Sequence, residues 1–252
     1  MTRMKYTFVD TESWWDRDLH RAYQHLDPAT EHRRIGCRRI GVAAALDVEI
    51  DDEGRISVGA IASWTARDLG GEREVVTQLF DHLRQRDDRI VVTYGGIATD
   101  VQILTLAAMQ YGLRLPPQLI DQPGRKGPRQ HCDLALMLKG GGRTFHHLSE
   151  VALRIGIPLK LLEDKKWVDA PASTAAWEQV RAHCEKDCVI TACAMIAWRC
   201  AQGHNALRLE PALLGLIAGV IRRRPGKSYT DLLLTHLVAL QRDITTSLDK
   251  AA

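Results

Sequence analysis

Long apolar runs are missing from this 252-residue chain. A helix needs about 20 consecutive apolar residues to span a bilayer. The N-terminus also lacks the charged start, long apolar middle and small-residue cleavage site of a secretory signal. The expectation is a cytoplasmic protein with no membrane partner. Cysteine is sparse, and its six residues have no metal-type spacing. Four of them, Cys184, Cys188, Cys193 and Cys200, fall in one expected helix as small buried hydrophobes, so neither disulfides nor zinc is expected. Charge is nearly balanced at +3, so any basic surface that meets nucleic acid has to be local. Internal repeats and low-complexity segments are absent. So is a phosphate-binding loop, because the glycine run Lys139–Arg143 has no Gly-Lys-Ser/Thr ending and reads as a flexible basic turn. At 45% apolar residues the chain can bury a sizeable core, as one large domain or a domain plus an extension.

Against that background, Phe8-Val9-Asp10-Thr11-Glu12 is an apolar run ending in two carboxylates two residues apart. Residues two apart on a strand project from one face, so Asp10 and Glu12 are expected to point together near the strand's end. Such oxygen donors suit hard cations such as magnesium or manganese, although ordinary solvated strand ends carry the same pair. Ser13-Trp14-Trp15 and the polar stretch to about Arg34 read as loop with some helix. The tryptophans suit core packing better than base stacking, and His20, His25 and His32 read as solvated surface. Cys37–Ile50 and Arg55–Ala62, joined by the turn Asp51-Asp52-Glu53-Gly54, form a hairpin. Apolar residues at 75, 76, 79, 80 and 83 give Glu72–Arg86 helical spacing. Ile90–Tyr94 is then a buried strand stopped by Gly95-Gly96.

Asp100 follows at once, in the first turns of a helix from about Ile97 to Gly112, where the helix dipole also favours an acid. Leu113–Arg129 is loop, and His131–Leu134 is strand-like before another helix. His147–Ile155 is a helix closed by Gly156 and Pro158. The long helix over about Thr174–Cys200 has one apolar stripe. His183 and Asp187 lie four apart beside that stripe and emerge from one flank. Two helices follow, from about Glu210 and from Ser228. Between them Arg222-Arg223-Arg224 with Lys227 suits either a phosphate backbone or a helix C-terminus.

The order of these acids resembles that of the DEDD 3′-5′ exonucleases of the RNase H-like fold, and most of all the predicted exonucleases related to the proofreading domain of family-B DNA polymerases. The first motif of that family is similar to Phe8-Val9-Asp10-Thr11-Glu12. The second resembles Val92-Thr93-Tyr94-Gly95-Gly96 through Asp100 and Leu104, and the third His183-Cys184-Glu185-Lys186-Asp187. His131-Cys132-Asp133-Leu134 and Leu148–Lys160 also look like family features. The resemblance spans about residues 5 to 200. It implies an α/β, RNase H-like five-stranded mixed sheet flanked by helices, with strands one to three as antiparallel neighbours. Residues 1–204 would form the exonuclease domain, and 205–252 a helical C-terminal extension packed on the same domain.

The resemblance also implies a chemistry. Two magnesium or manganese ions about 4 Å apart would activate water and stabilise the leaving 3′ oxygen. Asp10 would bridge both, Glu12 and Asp187 would complete one site, and Asp100 would hold the second ion. The substrate would be nucleic acid with a free 3′ end, single-stranded DNA before RNA. One position departs from the pattern. The nearest family members carry tyrosine four residues before the last aspartate, where this chain has His183, and the other branch has histidine five before, where this chain has Ala182. One residue of shift turns a helical side chain by about 100°. His183 therefore combines the tyrosine position with the other branch's chemistry, and the alternative to an exonuclease is a catalytically weak or inactive nucleic-acid-binding module on the same scaffold.

Overall fold

The structure, a computed structural model, describes residues 3–28, 34–120, 130–162, 169–204 and 206–251. His32 and part of the expected loop, residues 121–129, lie outside them. The five expected strands are β1 (Met4–Trp15), β2 (Arg38–Ile50), β3 (Ile56–Thr65), β4 (Ile90–Thr93) and β5 (His131–Asp133). They form one mixed sheet in the order β3-β2-β1-β4-β5. β2 runs antiparallel to both β1 and β3, while β4 lies parallel to both β1 and β5. The helices are α1 (Arg17–Leu26), α2 (Ala66–Leu69), α3 (Glu72–Arg84), α4 (Asp100–Tyr111), α5 (Leu134–Lys139), α6 (Leu148–Arg154), α7 (Thr174–Ala201), α8 (Leu209–Arg223) and α9 (Ser228–Ala251). Among the described residues, no helix is long and apolar enough to cross a membrane.

Strand alternation divides the core in two. Tyr6 and Phe8 of β1 join Val42, Ala44 and Leu46 of β2 under α7, α8 and α9, and Val9, Ala43 and Ala45 face α3 and α4. Both sheet faces are covered, which is why β2 is buried along most of its length. Asp10 and Glu12 share the parity of Tyr6 and Phe8, so they emerge on the α7 side of the sheet.

Several boundaries differ from the sequence reading. β1 does not stop at Glu12 but continues through Trp15, past a bulge that leaves Gly41 of β2 as the extra residue between Val42 and Ile40. Trp14 packs edge-on against Trp177 at 5.0 Å between ring centroids. It belongs to the core, as expected. Trp15 covers His20, at 4.6 Å between rings, so this histidine is half-buried and not fully solvated. The helix expected from Ile97 begins only at Asp100, because Gly95–Thr99 form a turn. α7 is buried on nearly all sides from Cys184 to Ile196 and not on one stripe, since the sheet lies against one flank and α8 and α9 cover another. The described cysteines are all free.

Candidate active site

β4 ends just beyond the partner of Phe8, so Asp10, Thr11 and Glu12 continue past it with an unpaired edge. α4 fills that gap with its N-terminus. The hydroxyl of Thr11 donates to Asp100 Oδ1 at 2.5 Å, and that of Thr99 to Asp100 Oδ2 at 3.3 Å. Asp100 is thereby fixed beside the first motif, although ninety residues separate them. From the other side α7 brings His183 and Asp187. His183 Nε2 lies 3.5 Å from Glu12 Oε1 and 3.6 Å from Asp187 Oδ2, bridging the two acids. The Cys184 thiol donates to the Asp10 carbonyl at 3.2 Å, pinning the helix to the strand.

Asp10 lies at the centre of this group. Its Oδ2 is buried without a hydrogen-bond partner among the described residues. Burial above all, then the charges of Asp187, Glu12 and Asp100, push its carboxyl well above the usual range. Burial also raises Asp100, against the hydrogen bonds from Thr11 and Thr99 that favour its ionised form. Carboxylates crowded in this way favour a cation among them. The donor set is all oxygen, which fits magnesium or manganese better than zinc. Among the described residues, no three acid, histidine or cysteine side chains are already drawn around one point, so side-chain rotation would have to complete the ligand set. Burial pushes the Cys184 and Cys188 thiols well above their ordinary range, which leaves them neutral packing groups.

A cleft of about 360 Å³ opens over this floor. Asp10, Asp187, Lys186 and Ile190 line it from β1 and α7, Tyr94, Gly95 and Ala98 from the β4–α4 turn, and Phe145–Ser149 from the segment leading into α6. Asp133, Tyr94 and Phe145 have no individual role at this site that the sequence expresses. Asp133 is buried at the end of β5, and its carboxylate accepts from Gly95 N at 2.8 Å and Ile97 N at 2.9 Å. It also caps α5 by accepting from Ala135 N and Leu136 N. The signal for that role was an aspartate directly before an apolar helix, the ordinary N-cap pattern. Gly95 has φ of +74°, a conformation that favours glycine and helps form the turn whose N–H groups reach Asp133. Tyr94 donates to His146 O at 2.7 Å, and its phenol is pushed up to about 12, by burial first and then by Glu150 and Asp133, so it remains a donor.

Two members of the basic cluster between α8 and α9, Arg224 and Lys227, are committed to structure, while Arg222 and Arg223 are exposed. Arg224 donates to Ile61 O at 2.6 Å and lies 3.4 Å from the fully buried Glu185, and Lys227 lies 3.4 Å from Glu178. Glu185 also accepts from Ser63 at 2.6 Å and Tyr229 at 2.8 Å.

The comparisons with known proteins agree with this architecture. The backbone is similar to that of a family B DNA polymerase from the hyperthermophilic archaeon Pyrobaculum calidifontis, with a TM-score of 0.50 at 12% identity. The match covers 87% of this chain and 29% of the polymerase, so it concerns less than a third of that protein and speaks for the fold. No curated protein matches the chain. Residues 32–232 match a family described as predicted 3′-5′ exonuclease related to the exonuclease domain of PolB, a span that includes Asp100, His183 and Asp187 and begins after Asp10 and Glu12. The match takes in most of the sequence, and the chain therefore belongs to the family of predicted 3′-5′ exonucleases related to the exonuclease domain of PolB.

Proposed function

We propose that this protein is a metal-dependent 3′-5′ exonuclease that hydrolyses phosphodiester bonds at the 3′ ends of single-stranded nucleic acid, DNA in preference to RNA. The observation that carries the reading is the unpartnered, buried Oδ2 of Asp10 with Glu12, Asp100 and Asp187 around it at the floor of an open cleft. Asp10, Glu12, Asp100 and Asp187 would hold two magnesium or manganese ions. Bound there, the ions supply an activated water and neutralise charge on the phosphate and the leaving 3′ oxygen. Asp10 would hold them from the central strand, paired with Ala44 of β2, and Asp100 from a helix start fixed by Thr11. His183, placed between Glu12 and Asp187, orients the attacking water and takes its proton at Nε2. The cleft wall formed by Tyr94 and the residues leading into α6 receives the strand.

One observation favours a second reading, a catalytically weak or inactive binding module. His183 Nε2 lies within 3.6 Å of both Glu12 and Asp187, so the ring stands among the acids that a cation would have to share. One assay tests both. End-labelled single-stranded DNA and RNA are incubated with the pure protein in manganese or in EDTA, alongside Asp10→Asn. Stepwise shortening from the 3′ end, abolished by EDTA and by Asp10→Asn, is the expected result. Full activity of Asp10→Asn in manganese would remove the two-metal assignment, and binding without cleavage would favour the module.

A further inference from the structure

Phe145 lines the cleft and is 49% exposed, so about half of its surface is open to whatever enters from that side. The segment that presents it is held in place. Tyr94 donates to the carbonyl of the next residue, His146, at 2.7 Å, His146 Nδ1 lies 3.4 Å from Glu150 Oε1, and the backbone N–H of His147 donates to Glu150 Oε2 at 3.3 Å. One cation lies over the ring, and two more belong to the same segment or cleft. Lys139 Nζ lies 4.1 Å from the ring centroid, Arg143 is exposed two residues earlier, and Lys186 lines the same cleft. The floor beneath is acidic, so the lip and the floor carry opposite charge.

A fixed aromatic ring interleaved with cations, beside a cleft, is the arrangement that binds single-stranded nucleic acid without sequence preference, because every base has a face to stack. We propose that Phe145 is a stacking platform for a base at or next to the 3′ end of a single strand, with Lys139 and Arg143 meeting the adjoining phosphates. This deepens the exonuclease reading and rests on it for the direction of the strand. A duplex end cannot use the platform without unstacking, so the site selects frayed or single-stranded ends.

The test compares two 5′-fluorescein-labelled oligothymidylates by anisotropy in calcium, one intact and one with its two 3′-terminal nucleotides made abasic. Both have the same phosphates, so their affinity ratio isolates base contacts. The parent should prefer the intact end by about 5- to 150-fold, the factor that corresponds to one stacked base. Phe145→Ala should lose most of that ratio, and Phe145→Trp should keep it, with melting temperatures checking that both variants are folded. No preference in the parent, or a preference unchanged in Phe145→Ala, overturns the platform. Cleavage in manganese scores the exonuclease reading separately. If the protein cuts nothing but Phe145→Ala abolishes its base preference, the platform stands and the nuclease falls. If it cuts 3′ ends and Phe145→Ala keeps the preference, the reverse holds.

Discussion

His183 occupies a helical position between two carboxylates, within 3.5 Å of Glu12 and 3.6 Å of Asp187, where a proton acceptor can reach a water held by the acids. His183→Ala should lower turnover by roughly 10²- to 10⁴-fold with manganese affinity little changed, as removal of a general base does. His183→Tyr should preserve much of the rate, because a phenol on the same flank of α7 keeps a polar group between Glu12 and Asp187 that can orient a water. Near-normal cleavage by His183→Ala would leave the residue as a half-buried spacer. Asp10 makes a prediction about stability. Its carboxyl is raised well above the usual range, by burial first and by neighbouring acids second. The unfolded chain ionises at about 3.9, so between that value and the raised folded value the native state binds the extra proton. Stability therefore falls as pH rises through this window and stays lower above it. In EDTA, Asp10→Asn should melt above the parent at neutral pH, and the gap should close toward pH ~3. A scan of melting temperature against pH measures this, and a lower melting point for the variant at neutral pH would contradict the crowding of acids around Asp10.

At the scale of elements, the site depends on how strand ends and helix starts meet. Asp133 ties the end of β5 to the β4–α4 turn and to the start of α5 with one carboxylate. The residue is buried, so removal of its side chain would strand two loop N–H groups and uncap a helix. Asp133→Ala should destabilise the protein by about 3 kcal/mol, from charge-assisted hydrogen bonds worth roughly 1.5–3 kcal/mol each, and should reduce cleavage by loosening the turn that sets Asp100. Asp133→Asn retains an acceptor oxygen and should lose less of both. Urea unfolding and initial rates at low temperature measure the two effects, and an alanine variant as stable as the parent would remove the positioning role. The helical periodicity that located α3 and α7 carried no information on this contact, because the partners are backbone groups of a turn nearly forty residues away.

For the whole molecule, the C-terminal helices matter because α8 lies directly on β3. A Cβ at Gly219 would come within 2.5 Å of the Val58 side chain, so only glycine allows this approach. Leu213, Leu216, Ile217 and Val220 of α8, with Tyr229 and Leu233 of α9, are buried in the cluster that includes Phe8 and Cys188. At about 1.5–3 kcal/mol for each buried aliphatic side chain, these contacts are comparable with the roughly 5–15 kcal/mol that holds a domain folded. A chain cut after residue 204 should therefore fail to melt cooperatively by circular dichroism. A sharp transition from the cut chain would show 1–204 to be an independent unit. Gly219→Val should lower the stability of the full chain by about 1–3 kcal/mol through overpacking.

The sequence alone determined the five strands and their hairpin, the helical spacing of α3 and α7, and the order of four acids that resembles a family's. Those features are local or ordinal, written in side-chain period and in the sequence of motifs. The tertiary structure decided what periodicity cannot encode. β1 runs on past Glu12 because β2 pairs with it through a bulge at Gly41. α7 is covered on more than one flank because the C-terminal helices return to pack near it. Tyr94 lines the cleft, and Asp133 braces the turn beside it, because parallel pairing of β1, β4 and β5 brings the ends of those strands together; Phe145 joins them from the segment that leads into α6. Contacts between segments far apart in the chain have no period to betray them, and they arise only when the sheet is assembled.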